Sequence, residues 1–143
     1  MLFHSTRGGD NNRTFEEVLM QGLASDGGLF MPNEWPQVDL DHLKTLKTFL
    51  DIANYIVPKF TKSSFTDDEV SELLDSTWHN FSEENLVKIQ NLDESNAILE
   101  LFHGPTAAFK DFGLQLAAAF FNMSLNRQNK TAIVFGATSG DTG

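Results

Sequence analysis

One lysine in this sequence sits where chemistry is possible. Lys110 lies in the run His103-Gly104-Pro105-Thr106-Ala107-Ala108-Phe109-Lys110-Asp111-Phe112-Gly113, with turn-forming residues before it and an apolar stretch after it. A lysine at such a loop-to-helix corner, partly withdrawn from water, loses its proton more readily than a solvated one and can form a Schiff base with an aldehyde. The dipole of a helix starting here disfavours a cation, and Phe109 and Phe112 would reduce the hydration of the amine. On the residues alone, a surface lysine at a helix start is the commoner case.

A second corner follows in Gly136-Ala137-Thr138-Ser139-Gly140-Asp141-Thr142-Gly143. Backbone amides and hydroxyls at the end of an apolar run can bind phosphate or carboxylate. An ordinary β-to-α turn with an N-cap fits the same residues. Asp141 is awkward in a simple anion nest, which suggests a hydrogen bond to a protonated partner. No Gly-Lys-Ser/Thr follows, and the spacing is not that of a dinucleotide-binding loop. His4, His42, His79 and His103 show no ligand spacing, so no metal site is expected. His103 reads as a turn histidine that could line a cleft, and Asp111 as a residue that orients Lys110 or caps the helix.

Bringing the two corners together requires a scaffold. Residues 97–102 read as a strand, and 109–127 as a helix apolar on nearly every side, through Leu114, Leu116, Ala117, Ala118, Ala119, Phe120 and Phe121. Such a helix is expected to be buried on more than one face. The continuous apolar run 131–135 reads as an interior parallel strand. Strand, helix and strand make a right-handed βαβ unit, with both corners at the carboxyl edge of the sheet, where α/β folds bind ligands.

Residues 1–95 read differently, as a polar, mainly helical subdomain. Thr14-Phe15-Glu16-Glu17 is a capping box, with Gly22 as a stop, and Asp26 to Pro32 form a turn-rich loop. Leu43, Leu46, Leu50, Ala53, Val57 and Phe60 step by three and four, which predicts one helix from Asp41 to about Phe60. Thr66-Asp67-Asp68-Glu69 is a second capping box, followed by the stripe Val70, Leu73, Leu74, Thr77 and Trp78. The fold class is therefore α/β, with the helical subdomain over 1–95 and the start of a parallel-sheet domain over 96–143.

Composition narrows the function. The chain has 143 residues, 41% of them hydrophobic with 13 Phe, which is enough apolar material for a core. A net charge of -10 argues against nucleic acid or an anionic membrane as partner. The lack of cysteine excludes disulfides and thiolate catalysis. There is no secretory signal at the start and no run near the ~20 apolar residues of a membrane span, so a cytoplasmic location is expected.

The segment from Glu100 to Gly113, the Ser139-Gly140-Asp141-Thr142-Gly143 corner, His4-Ser5-Thr6-Arg7-Gly8 and Gly22-Leu23-Ala24-Ser25-Asp26-Gly27-Gly28-Leu29 together resemble threonine synthase, a pyridoxal-phosphate enzyme of the tryptophan-synthase-β type. The resemblance runs in order along the whole chain. It implies that Lys110 is the Schiff-base lysine, that Asp141 lies near the cofactor ring, and that Ser139, Gly140 and Thr142 hold the substrate carboxylate. It implies a carbon–oxygen lyase that converts O-phospho-L-homoserine and water to L-threonine and phosphate with pyridoxal 5'-phosphate. Members of the family are several-fold longer, and the glycine-rich loop for the cofactor phosphate is not found in residues 1–143. The chain is therefore expected to be a truncated N-terminal portion whose partner is the remainder of the enzyme. Two alternatives stand beside it: a catalytically inactive structural or interaction fragment, and a serine or threonine dehydratase.

Overall fold

The computed structural model describes residues 1–138 and 140. It divides into two compact units, Met1–Leu74 and Asp75–Gly143. In the first, β1 (Phe3–Ser5) pairs antiparallel with β2 (Phe30–Pro32), Phe3 opposite Pro32 and Ser5 opposite Phe30. Strands this short show no periodicity, and the sequence reads the second of them as part of the turn-rich loop from Asp26 to Pro32.

The turns around this pair interlock through two carboxylates. Asp26 accepts hydrogen bonds from Ser5 Oγ at 2.7 and 2.9 Å, from the Gly9 amide at 2.7 Å and from the Gly28 amide at 2.8 Å. Asp10 is only 4% exposed and accepts from Arg13 Nη2 at 2.7 Å, the Ser25 amide at 2.7 Å and Gln21 Nε2 at 3.2 Å. Donors satisfy both groups, as withdrawal of a charge from water requires. The Arg13 and Ser25 bonds hold the Asp10 carboxyl well below the usual carboxylate range, and those from Ser5 and Gly28 lower Asp26. Each therefore adds stability that is complete above the ordinary value of 3.8 and is lost as the pH falls toward and through the lowered folded value. Thermal unfolding followed from about pH 6 to about pH 3 is expected to show a falling midpoint, with a shallower fall in Asp26→Asn.

The first helix, α1 (Phe15–Gln21), forms as predicted, with the Thr14–Glu17 capping box and Gly22 as C-cap. Its first amides, which no helix can satisfy internally, reach the loop 62–66: Phe15 N donates to Ser63 Oγ and Glu16 N to Ser64 Oγ, at 3.1 and 2.9 Å. The single helix predicted from Asp41 is instead two, α2 (Leu40–Leu43) and α3 (Phe49–Thr61). A capping box unread in the sequence causes the break. Thr48 accepts from Asp51 N, while Asp51 accepts from the amides of Lys47 and Thr48. The apolar spacing runs across the break, yet α2 buries no residue, whereas α3 buries Ala53 and Thr61.

The Thr66 box starts α4 (Asp67–Thr77), within which the division between the units falls. Its stripe is buried as predicted: Val70 and Leu74 are fully enclosed, each contributing about 2 kcal/mol. The Phe15 ring sits 6.3 Å from that of Phe3 and 6.0 Å, edge-on, from that of Phe65.

The second unit contains an antiparallel ribbon of β3 (Lys88–Asn91) and β4 (Ala97–Glu100), with Ile89 opposite Leu99 and Gln90 opposite Ile98. Asp93 Oδ1 closes the turn by accepting from the amides of Ser95 and Asn96. The mixed helix-and-strand class is as predicted, but the pairing differs. The strand read at 97–102 pairs backwards with a neighbour, and 131–138 forms neither helix nor strand. Ile133, Val134 and Phe135 are 87, 86 and 97% exposed. An interior strand is stable only with a ladder on each side, and no described strand lies beside these residues. The last helix, α5 (Lys110–Arg127), starts at the predicted lysine but buries only three of its residues, Asp111 at the first turn and Phe120 and Ser124 further along on the other side. Leu114, Ala117 and Ala118 are exposed, contrary to the expected burial on several faces.

Candidate active site

Lys110 is the first residue of α5 and is half-buried. The corner before it is held from two directions. Towards 78–82, the carbonyl of His103 accepts from the amide and the hydroxyl of Ser82, at 2.9 and 3.1 Å. Trp78 Nε1 donates to the carbonyl of Phe112 at 3.2 Å, and the Phe81 ring meets that of Phe112 edge-on at 4.9 Å. A buried indole needs an acceptor, yet nothing in the spacing says that this acceptor is at residue 112.

Within the corner, Asp111 reaches back to Thr106. One carboxylate oxygen accepts from the Thr106 amide and the other from its hydroxyl, both at 2.9 Å. A Cβ on Gly104 would lie 2.7 Å from Asp111 Cβ, so only glycine allows this approach. Ala107 takes a left-handed φ of 55°, strain of about 1–3 kcal/mol that the surrounding bonds must hold. Phe109 occupies the N-cap position and makes no side-chain cap bond.

Of the two alternatives for Asp111, capping is not what forms: its carboxylate closes the loop onto Thr106 instead. The expected aromatic shielding of Lys110 is also redistributed, since Phe112 packs on Trp78 and Phe81 while Phe109 is 65% exposed. His103 donates from Nε2 to Glu100 Oε2 at 2.9 Å, which fits the turn-histidine reading. Of the second corner, Gly140 is exposed with a φ of 138°, while Ser139, Asp141 and Thr142 lie outside the described residues.

The family model described as "Threonine synthase N terminus" matches residues 2–78. The chain belongs to the threonine synthase family. It is similar to the threonine synthase of Pseudomonas aeruginosa, with 37% identity over all of this chain and 31% of that protein. Among solved structures it is similar to a threonine synthase from Brucella melitensis described as PLP bound, with a TM-score of 0.83 and 31% identity over 89% of this chain and 28% of that one. The yeast threonine synthase structure gives a TM-score of 0.82 and 37% identity, covering 90% of this chain and 27% of the other. The chain thus spans about 30% of the length of the threonine synthases it matches.

The interlocked turns at Ser5, Asp10 and Asp26 fall inside the part matched by the family model. A cavity of about 500 Å³ in the first unit is lined by α3, its C-cap Lys62 and α4, with Tyr55, Lys59 and Asp67 among the lining residues, none of them a predicted site residue. Among the described residues no helix is long and apolar enough to cross a membrane, and no cluster of His, Asp and Glu is placed to hold a metal ion.

Proposed function

We propose that this chain is the N-terminal portion of a pyridoxal 5'-phosphate-dependent threonine synthase, a cytoplasmic carbon–oxygen lyase converting O-phospho-L-homoserine and water to L-threonine and phosphate. Family membership and the PLP-bound relative support this reading. The observation that carries it is a primary amine on a corner whose geometry is set from both sides. Residues 1–95 are then the N-terminal subdomain, and 96–143 begin the cofactor-binding domain.

The donor chemistry fits the aldehyde end of the cofactor. An amine at a defined helix start, partly out of water, is a nucleophile for a carbonyl carbon. When bound, pyridoxal 5'-phosphate supplies an electron sink for chemistry at the substrate's α-carbon. Lys110 Nζ would hold the aldehyde end of the cofactor and, as a base, would move protons at the substrate's α- and β-carbons. Ser139, Gly140 and Thr142 bind the substrate carboxylate, and Asp141 pairs with a protonated group at the cofactor ring. In the net reaction the γ-carbon loses phosphate and water adds at the β-carbon.

Titrating the chain with pyridoxal 5'-phosphate tests the reading directly. A bound-cofactor absorbance band is expected in the parent and is expected to vanish in Lys110→Ala. A parent without the band would favour a structural or interaction role for this piece. Phosphate release, measured with the remainder of the enzyme present, separates a synthase from a dehydratase acting on an unphosphorylated hydroxy amino acid.

A further inference from the structure

The geometry points to Asp111 and Thr106 as a positioning pair that sets the direction of Lys110. This inference rests on Lys110 being the residue that takes the cofactor's aldehyde. An ordinary N-terminal cap accepts from the helix's own first amides. Asp111 instead turns both oxygens backward onto one loop residue, across five positions. Two bonds to one partner, in a carboxylate only 5% exposed, leave little freedom to rotate the first turn of α5 against the loop. Lys110 precedes Asp111 directly, so the phase of that turn decides where its side chain leaves the backbone.

Two further observations show a loop built around this clasp. Gly104 leaves the space that the Asp111 side chain fills, and the Ala107 amide closes a tight turn onto the Gly104 carbonyl at 3.0 Å with Ala107 at positive φ. A strained turn persists only where its surroundings over-determine it. With Thr106 released, the loop can relax and the lysine loses its fixed exit direction. The pair acts on chemistry only through Lys110.

The test uses the full chain, so that its other lysines serve as internal standards. Parent, Thr106→Ser, Thr106→Val, Asp111→Asn and Asp111→Ala are each incubated with pyridoxal 5'-phosphate, reduced with borohydride, and mapped by mass spectrometry for the lysine that carries the added mass. Thr106→Ser retains both donors and is expected to match the parent. Thr106→Val and Asp111→Ala are expected to lower the labelling of Lys110 relative to the other lysines by about tenfold, as a small displacement of a reacting group does. Asp111→Asn, with one good acceptor left, is expected to fall between the parent and these two variants.

Circular dichroism identifies any variant that has lost its fold, and if Asp111→Ala has, the Thr106→Ser and Thr106→Val comparison carries the decision. Folded Thr106→Val and Asp111→Ala chains that keep the parent's preference for Lys110 would overturn the positioning role while leaving Lys110 as the aldehyde-binding residue. A parent that labels Lys110 no faster than its other lysines would overturn both.

Discussion

Replacing Lys110 by alanine is expected to lower phosphate release from O-phospho-L-homoserine by at least about 10³-fold when the rest of a threonine synthase is supplied. On the proposed function two roles would be removed together: the amine that holds the cofactor's aldehyde and the group that moves protons at the substrate carbons. Effects of this kind reside in the chemical step, so kcat is expected to fall far more than KM changes. The fold is expected to survive, because Lys110 starts α5 without being one of its buried residues. The helix is held instead by Asp111, by the Trp78 bond to the Phe112 carbonyl, and by the buried Phe120. A Lys110→Ala enzyme that turns over near the parent rate would remove Lys110 from the mechanism.

Gly28→Ala is expected to destabilise the first unit by about 3 kcal/mol, at the upper end for overpacking a tight site. A Cβ there would run into Ser5 Oγ and lie 2.9 Å from Asp26 Oδ1 and 3.1 Å from Thr6 Oγ1. Ser5 is 2% exposed and donates to Asp26, so neither can step aside without breaking the contact that joins the two turns. In thermal unfolding the loss corresponds to a midpoint lower by at least about 10 °C for a unit of this size. Gly8→Ala is the informative control. Gly8 has a φ of 84° but open space around it, so only the backbone cost of about 1 kcal/mol applies. Equal losses for the two variants would mean that the close approach at Gly28 carries no weight.

How far the sequence could be read depended on whether each signal was local. Both predicted capping boxes formed, at Thr14 and Thr66, because a cap is a contact between residues three apart. The stripe from Val70 to Trp78 was buried because helical periodicity is likewise local. The box at Thr48 escaped notice since an apolar rhythm ran straight through it, and the rhythm does not record a break between two helices. The ribbon of β3 and β4 escaped because the first of its strands, Lys88–Asn91, is mostly polar and lies on the surface along its whole length.

The sequence by itself determined the family and the helix that begins at Lys110. These are carried by residue identity and by short spacings, which need no tertiary contact to be read. Only the tertiary structure decided that Asp111 grips Thr106, that Trp78 supports the corner through a backbone carbonyl 34 residues away, and that Asp26 ties together turns more than fifteen residues apart. It also decided that the apolar run 131–135 is exposed rather than laddered. The physical reason is the same in each case: a side chain's chemistry is written at its own position, but its partner is chosen by how the chain closes on itself.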